Sequence, residues 1–214
     1  MARLVRNADV LSHDAEMDLE VLEYIGNLQY DWELVLRADI RVERILEHPL
    51  TWTYRLSGVK RRYSPPFLVS YLDEYKRWTC LYEVQSIEAL RQNWRTLRPA
   101  YKTAIHAIKS RGWRFQIITE RDFIPEYIEN LRFLRRYQNL PMQEMHHQAL
   151  LYTFQRLGET TPKKVIEEVW NDEEKKYAAI AEMWRMLACG ELSIFPLQKL
   201  TMASTIWLSD FDEE

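Results

Sequence analysis

Glu83 stands in the run Leu81-Tyr82-Glu83-Val84-Gln85, where an unpaired carboxylate among apolar neighbours is costly. Such a group is kept either as an oxygen ligand for a hard cation or as half of a structural pair. Lys102 and Arg95, further along the chain, are the expected structural partners, and the two roles look alike in sequence. Other acids cluster near the N-terminus, where Glu20 shares a helical face with Glu16 at i+4, and Asp18 and Glu23 read as a solvated face. His146-His147 suggests a metal pair, but adjacent helical residues point about 100° apart and chelate poorly, so a helix-surface role is expected. His13 and His106 have no partner spacing and there is no Cys-x-x-Cys, which argues against zinc. Arg132, Arg135 and Arg136 fall on one helical face. Together with Lys102, Lys109 and Arg111 they could track phosphates, or they could pair with the acidic N-terminal region.

These residues belong to a 214-residue chain, long enough for one large or two small domains, with 47% hydrophobic and 29% charged residues. The start does not read as a signal peptide and no apolar run approaches the ~20 residues of a membrane span, so a cytoplasmic protein is expected. Cys80 and Cys189 read as free thiols in a reducing compartment. Net charge is −3, but it is unevenly spread. Residues 7–50 carry 11 acidic and 3 basic side chains, residues 91–136 carry 4 and 11, and residues 140–214 carry 13 and 7. A basic middle between acidic flanks either faces phosphates or is neutralised by those flanks.

The elements that must position these groups follow from periodicity. Met17, Val21, Tyr24 and Ile25 give a helix over about 14–25, capped by Ser12 or Asp14. Val42 to Leu46 is a short strand, Thr51 to Leu56 alternates as a half-buried strand, and Ser57-Gly58 turns it back through Val59 to Tyr63. Phe67–Tyr71 and Trp78–Val84 are further strands joined by a polar end at residues 73–76, with Pro65-Pro66 at a strand start or an edge. A helical stretch from Ile87 to Ile108 is expected to divide or kink at Pro99; Gly112 closes it and Trp113–Thr119 is a strand. A helix then ends near Tyr137. Leu140-Pro141 marks a boundary, dividing a domain of residues 1–139 from one of residues 140–214. Beyond it the pattern predicts helices over 143–157, 162–170 and 173–188, then two short strands at 192–195 and 205–208. Three helices followed by a hairpin is a winged-helix layout. Residues 210–214 form an acidic tail. Trp52, Trp94, Trp113, Trp170, Trp184 and Trp207 read as core, and Trp32 and Trp78 as freer side chains able to anchor an interface.

The ordered set of segments resembles the TnsA family, the endonuclease subunit of Tn-seven-like heteromeric transposases. It comprises Ala15-Glu16-Met17-Asp18-Leu19, Val42 to Thr51, Arg61-Arg62-Tyr63-Ser64-Pro65-Pro66-Phe67-Leu68-Val69, Tyr82-Glu83-Val84-Gln85, Arg111-Gly112-Trp113-Arg114-Phe115 with Thr119-Glu120, and Ala188 to Leu192 ahead of Pro196-Leu197 and Leu200-Thr201. The resemblance implies an α/β, restriction-endonuclease-like mixed sheet flanked by helices, plus a small winged-helix-like C-terminal domain. It also implies nicking of the 5′ transposon ends beside a TnsB-like transposase and a TnsC-like AAA ATPase, in a bacterial, nucleoid-associated setting. Carried over residue by residue, Glu16 matches the helix glutamate and Glu83 the second-strand acid and metal ligand. Pro66 stands at the usual Asp and Gln85 at the usual Lys.

Magnesium takes hard, charged oxygens in near-octahedral geometry, and proline offers no side-chain oxygen. Gln85 cannot carry the charge of a lysine. The expectation is therefore a degenerate catalytic site and a subunit kept for assembly at transposon ends, with no cofactor. Two alternatives stand beside it: a Mg²⁺-dependent nuclease with a rearranged acid set of Glu16, Glu20 and Glu83, and a free-standing DNA-binding or regulatory protein.

Overall fold

The computed structural model describes residues 19–74 and 76–209. The expected helix start with its caps, Glu16, Asp18 and the acidic tail lie outside the described residues. The chain divides into two units between Asp122 and Phe123.

In the first unit, helix α1 (Leu19–Ala38) runs well past the expected end at Ile25. Leu28, Asp31 and Leu34 form a buried face at three-residue steps, so packing holds the helix beyond Gly26. The strands β1 (Val42–Glu47), β4 (Phe67–Asp73), β5 (Lys76–Val84) and β6 (Arg114–Ile118) form one sheet in the order β1-β4-β5-β6. Its pairs are antiparallel except for β5 and β6, which makes the sheet mixed. A separate hairpin joins β2 (Trp52–Leu56) to β3 (Val59–Tyr63). Its two-residue turn places both Ser57 (φ 50°) and Gly58 (φ 82°) in the left-handed region, the geometry that matches strand twist.

The β5–β6 crossover is a single helix, α2 (Ile87–Lys109), running through Pro99 without a break. The expected division fails because Leu97, Ala100, Tyr101, Ala104 and Ile108 pack as one face across that point. Thr103 Oγ1 donates to the Pro99 carbonyl at 3.0 Å. At its start Ser86 caps the Ala89 N–H at 3.0 Å, and the Glu120 carboxylate accepts from Ile87 N–H at 3.0 Å. One core lies between α2, the hairpin and one sheet face, built from Tyr63, Leu68, Leu81, Tyr101 and Ile108 with Trp52 and Tyr54 against it. On the opposite face α1 lies along β5, and Trp32 tilts against Tyr82 at 5.2 Å.

The second unit holds α3 (Pro125–Gln138), α4 (Glu144–Leu157), α5 (Pro162–Val169), α6 (Glu173–Ala188) and the paired strands β7 (Leu192–Ile194) and β8 (Ile206–Leu208). Sequence reading ends the first domain at residue 139, but α3 packs on α6 here. Leu134 joins the same core as Met183 and Leu187, and Phe133 meets Trp184 edge-on at 5.6 Å. Asn130 fixes the connection further: its amide donates to the Gln198 carbonyl and its oxygen accepts from Leu200 N–H, both at 2.7 Å. Thr160, between α4 and α5, bridges to Ile206 of β8. Thr161 and Asp172 cap α5 and α6 by accepting from Lys164 and Lys175 N–H. Cys80 is buried and Cys189 exposed, and both are free. Among the described residues no helix is long and apolar enough to cross a membrane.

Candidate functional site

The register of β4 and β5 brings the two strands' candidate residues together. Phe67 faces Tyr82, and one further step sets Pro66 across from Glu83. Leu68 and Leu81 lie in the core under α2, so Pro66 and Glu83, two residues along, fall on that same face. Pro66 is buried just ahead of β4, where its missing N–H leaves no ladder bond unmade, and its carbonyl accepts from His48 N–H at 2.8 Å. Asp73 and Glu74 lie at the other end of the β4–β5 hairpin.

Glu83 is 4% exposed. Its Oε2 accepts from the Tyr63 hydroxyl at 2.5 Å, and its Oε1 accepts from Gln85 Nε2 at 3.1 Å. Lys102 and Arg95 are exposed on α2 and are not its partners, contrary to the sequence expectation. They sit on the outer side of the helix whose inner side covers the site. Burial pushes the Glu83 carboxyl up to about 7, against the opposing bonds from Tyr63, Gln85 and the Val84 N–H. Burial likewise pushes the Tyr63 phenol up, with the neighbouring Glu83 adding to it. Tyr101 stands edge-on to Tyr63 at 5.6 Å, and its buried hydroxyl has no hydrogen-bond partner among the described residues. Sequence reading missed both tyrosines. The usable signal was the hairpin's alternation, which puts Trp52, Tyr54 and Tyr63 on one inward face.

A magnesium ion needs several hard oxygens free to turn toward it. The described residues supply one carboxylate, buried and with both oxygens already accepting, opposite a proline. Among the described residues no group of three or more His, Cys, Asp and Glu side chains is placed to hold a metal ion. These residues do not fit the ion. Glu33, Glu47 and His48 do line an open cleft beside Pro66 and Phe67, but the Arg37 guanidinium stands 2.7 Å from Glu33 and 3.9 Å from Glu47.

Residues 39–120 match the family described as TnsA-like endonuclease N terminal. That segment is TnsA-like. It spans β1 through β6, so the mixed α/β sheet, the Pro66–Glu83 register and Gln85 all lie inside the matched region, and the fold is restriction-endonuclease-like. The chain matches no curated protein.

The other candidate residues are distributed between the units. Lys102 and Lys109 are exposed on α2, and Arg111 lies over the Trp113 ring at 4.9 Å. Arg132, Arg135 and Arg136 belong to α3 and hence to the second unit, with Arg136 donating to the Phe133 carbonyl and covering that ring. The six basic residues therefore do not form one surface within a unit. His147, expected at a helix surface, is buried, because it completes a polar network with Glu182, Arg185 and Glu191. Glu182 accepts from Arg185 Nε at 2.8 Å and from Gln143 N–H at 3.0 Å, while Arg185 also donates to Glu191 at 2.8 Å. Trp78, expected to be free, stacks on Tyr71 at 4.0 Å under Arg114. Trp32 is held against Tyr82, whereas Trp94, read as core, is 45% exposed.

Proposed function

We propose that the chain is a TnsA-like subunit of a Tn-seven-like transposition machinery whose nuclease centre is idle, and that it serves assembly at transposon ends. The family match over residues 39–120 supports the transposition setting. The observation that carries the idle centre is the pairing of Glu83: the residue at the family's lysine position donates to the remaining acid, and Tyr63 takes its other oxygen. A carboxylate buried in this way, with both oxygens accepting from side chains of the same unit, is placed as a hydrogen-bonded core group.

Its partners in this reading are a TnsB-like transposase, a TnsC-like AAA ATPase and transposon-end DNA. The C-terminal unit is read as winged-helix-like, supported by the order α4-α5-α6-β7-β8 and the Thr160–Ile206 bridge. The third helix of that order, α6, buries six consecutive residues, Glu182 to Leu187, with α3, α4 and α5 packed against it. The exposed first half of α6 opens with Glu173 and Glu174, which repel a phosphate-lined groove. With 15 acidic and 10 basic side chains over residues 123–214, a net charge of −5, the unit is suited to protein contact.

The test combines the purified chain, its partner transposase and a supercoiled donor plasmid with Mg²⁺ or Mn²⁺. The expected products stay joined to the donor through one strand at each end. Double-strand release that disappears with Glu83→Ala would establish an active nuclease instead.

A further inference from the structure

We propose that the outer face of α2, together with the exposed face of the β2–β3 hairpin, is a sequence-independent surface for the phosphate backbone of duplex DNA. Arg91, Arg95, Arg98, Lys102 and Lys109 are all exposed. At about 100° per residue they fall within about 40° of one line on the helix, and at 1.5 Å per residue they extend over roughly 27 Å. The α2 sequence holds one acid, Glu88, in its first turn, and that side chain accepts from Gln92. None of the five basic residues is in an ion pair among the described residues. Among the described residues of the first unit, no acidic side chain pairs with this face.

The hairpin supplies an independent observation. Its inward face carries Trp52, Tyr54 and Tyr63, so Arg55, Lys60 and Arg62 point outward and are exposed. Arg55 and Lys60 are direct cross-strand partners. Like charges in that position oppose pairing, and an anion lying across them removes the penalty. The hairpin packs on α2, so both basic faces belong to elements of one core.

Duplex DNA carries phosphates at a fixed repeat, one per about 3.4 Å of axis on each strand, and because the strands wind about that axis a straight cationic stripe meets the phosphates on its near side. An acidic peptide offers no such fixed repeat. Arginine predominates in the stripe, and its planar fork suits phosphate oxygens. The choice of DNA over another polyanion rests on the TnsA-like reading; the surface itself does not.

The experiment measures fluorescence anisotropy of a labelled duplex of about 30 base pairs and arbitrary sequence with the full chain, from about 50 to about 200 mM salt. Neutralising Arg91, Arg95, Arg98 and Lys102 to Gln should weaken binding at least about tenfold and reduce the log–log salt slope by about 3 to 4. Arg55→Gln with Lys60→Gln, on a separate element, should weaken binding several-fold. Lys163→Gln with Lys175→Gln, in the second unit, should leave it unchanged. Folded stripe and hairpin variants that bind like the wild type would overturn the proposal. So would a wild-type chain that ignores the duplex at low salt yet takes up poly-glutamate through the same residues. The duplex has no transposon end and the assay no transposase, so failure here is separate from any result on strand cutting.

Discussion

Glu83 keeps its proton to about pH 7 because burial penalises the carboxylate more than the bonds from Tyr63, Gln85 and the Val84 N–H favour it. An unfolded glutamate ionises near 4.5. Between these values the folded state binds the extra proton, so the associated stability is fully present below about 4.5 and is lost as pH rises toward 7. The loss is on the order of 3 kcal/mol. Glu83→Gln should flatten this fall, seen as urea midpoints that no longer drop between pH 5 and 7.5. A variant that still drops as steeply as the wild type would assign the effect elsewhere. The sequence placed Glu83 in an apolar strand and asked for a partner, which was correct. The partner was not legible, because Tyr63 lies twenty residues away and reaches Glu83 only once the hairpin has packed on α2.

Strands were the more legible elements, since alternation and the Ser57-Gly58 turn fix the β2–β3 hairpin within a residue of its observed bounds. Helices were misjudged where tertiary packing overrides a local breaker. Gly26 does not stop α1, and Pro99 does not divide α2. Proline still removes one backbone donor and crowds the preceding turn, a cost that packing of Tyr101, Ala104 and Ile108 offsets. Pro99→Ala should therefore stabilise the first unit by about 1 to 3 kcal/mol, read as a higher denaturation midpoint. An unchanged or lower midpoint would mean that the helix has bent to suit the ring.

The division of the whole chain was the least legible feature. Leu140-Pro141 looks like a boundary in sequence, yet α3 belongs to the second core through Leu134, Phe133 and Asn130. Composition could not reveal this, because the residues that hold α3 come from α6 and from the segment after β7. A fragment of residues 123–214 should unfold cooperatively, whereas one of residues 140–214 should expose Trp184 and lose its sharp transition, measured by tryptophan emission. Asn130→Ala leaves the Gln198 carbonyl and Leu200 N–H without their partner and should cost about 1 to 3 kcal/mol in the longer fragment.

The two cysteines give each unit its own chemical clock. Cys80 is 1% exposed and burial pushes its thiol up to about 11, while Cys189 is exposed in the other unit. An alkylating reagent at neutral pH should add one label promptly at Cys189 and a second only at the rate at which the sheet around Cys80 opens. Mass spectrometry of the labelled chain would thus time the opening of the first unit directly, and a bound polyanion that clamps α2 should slow the second label without touching the first.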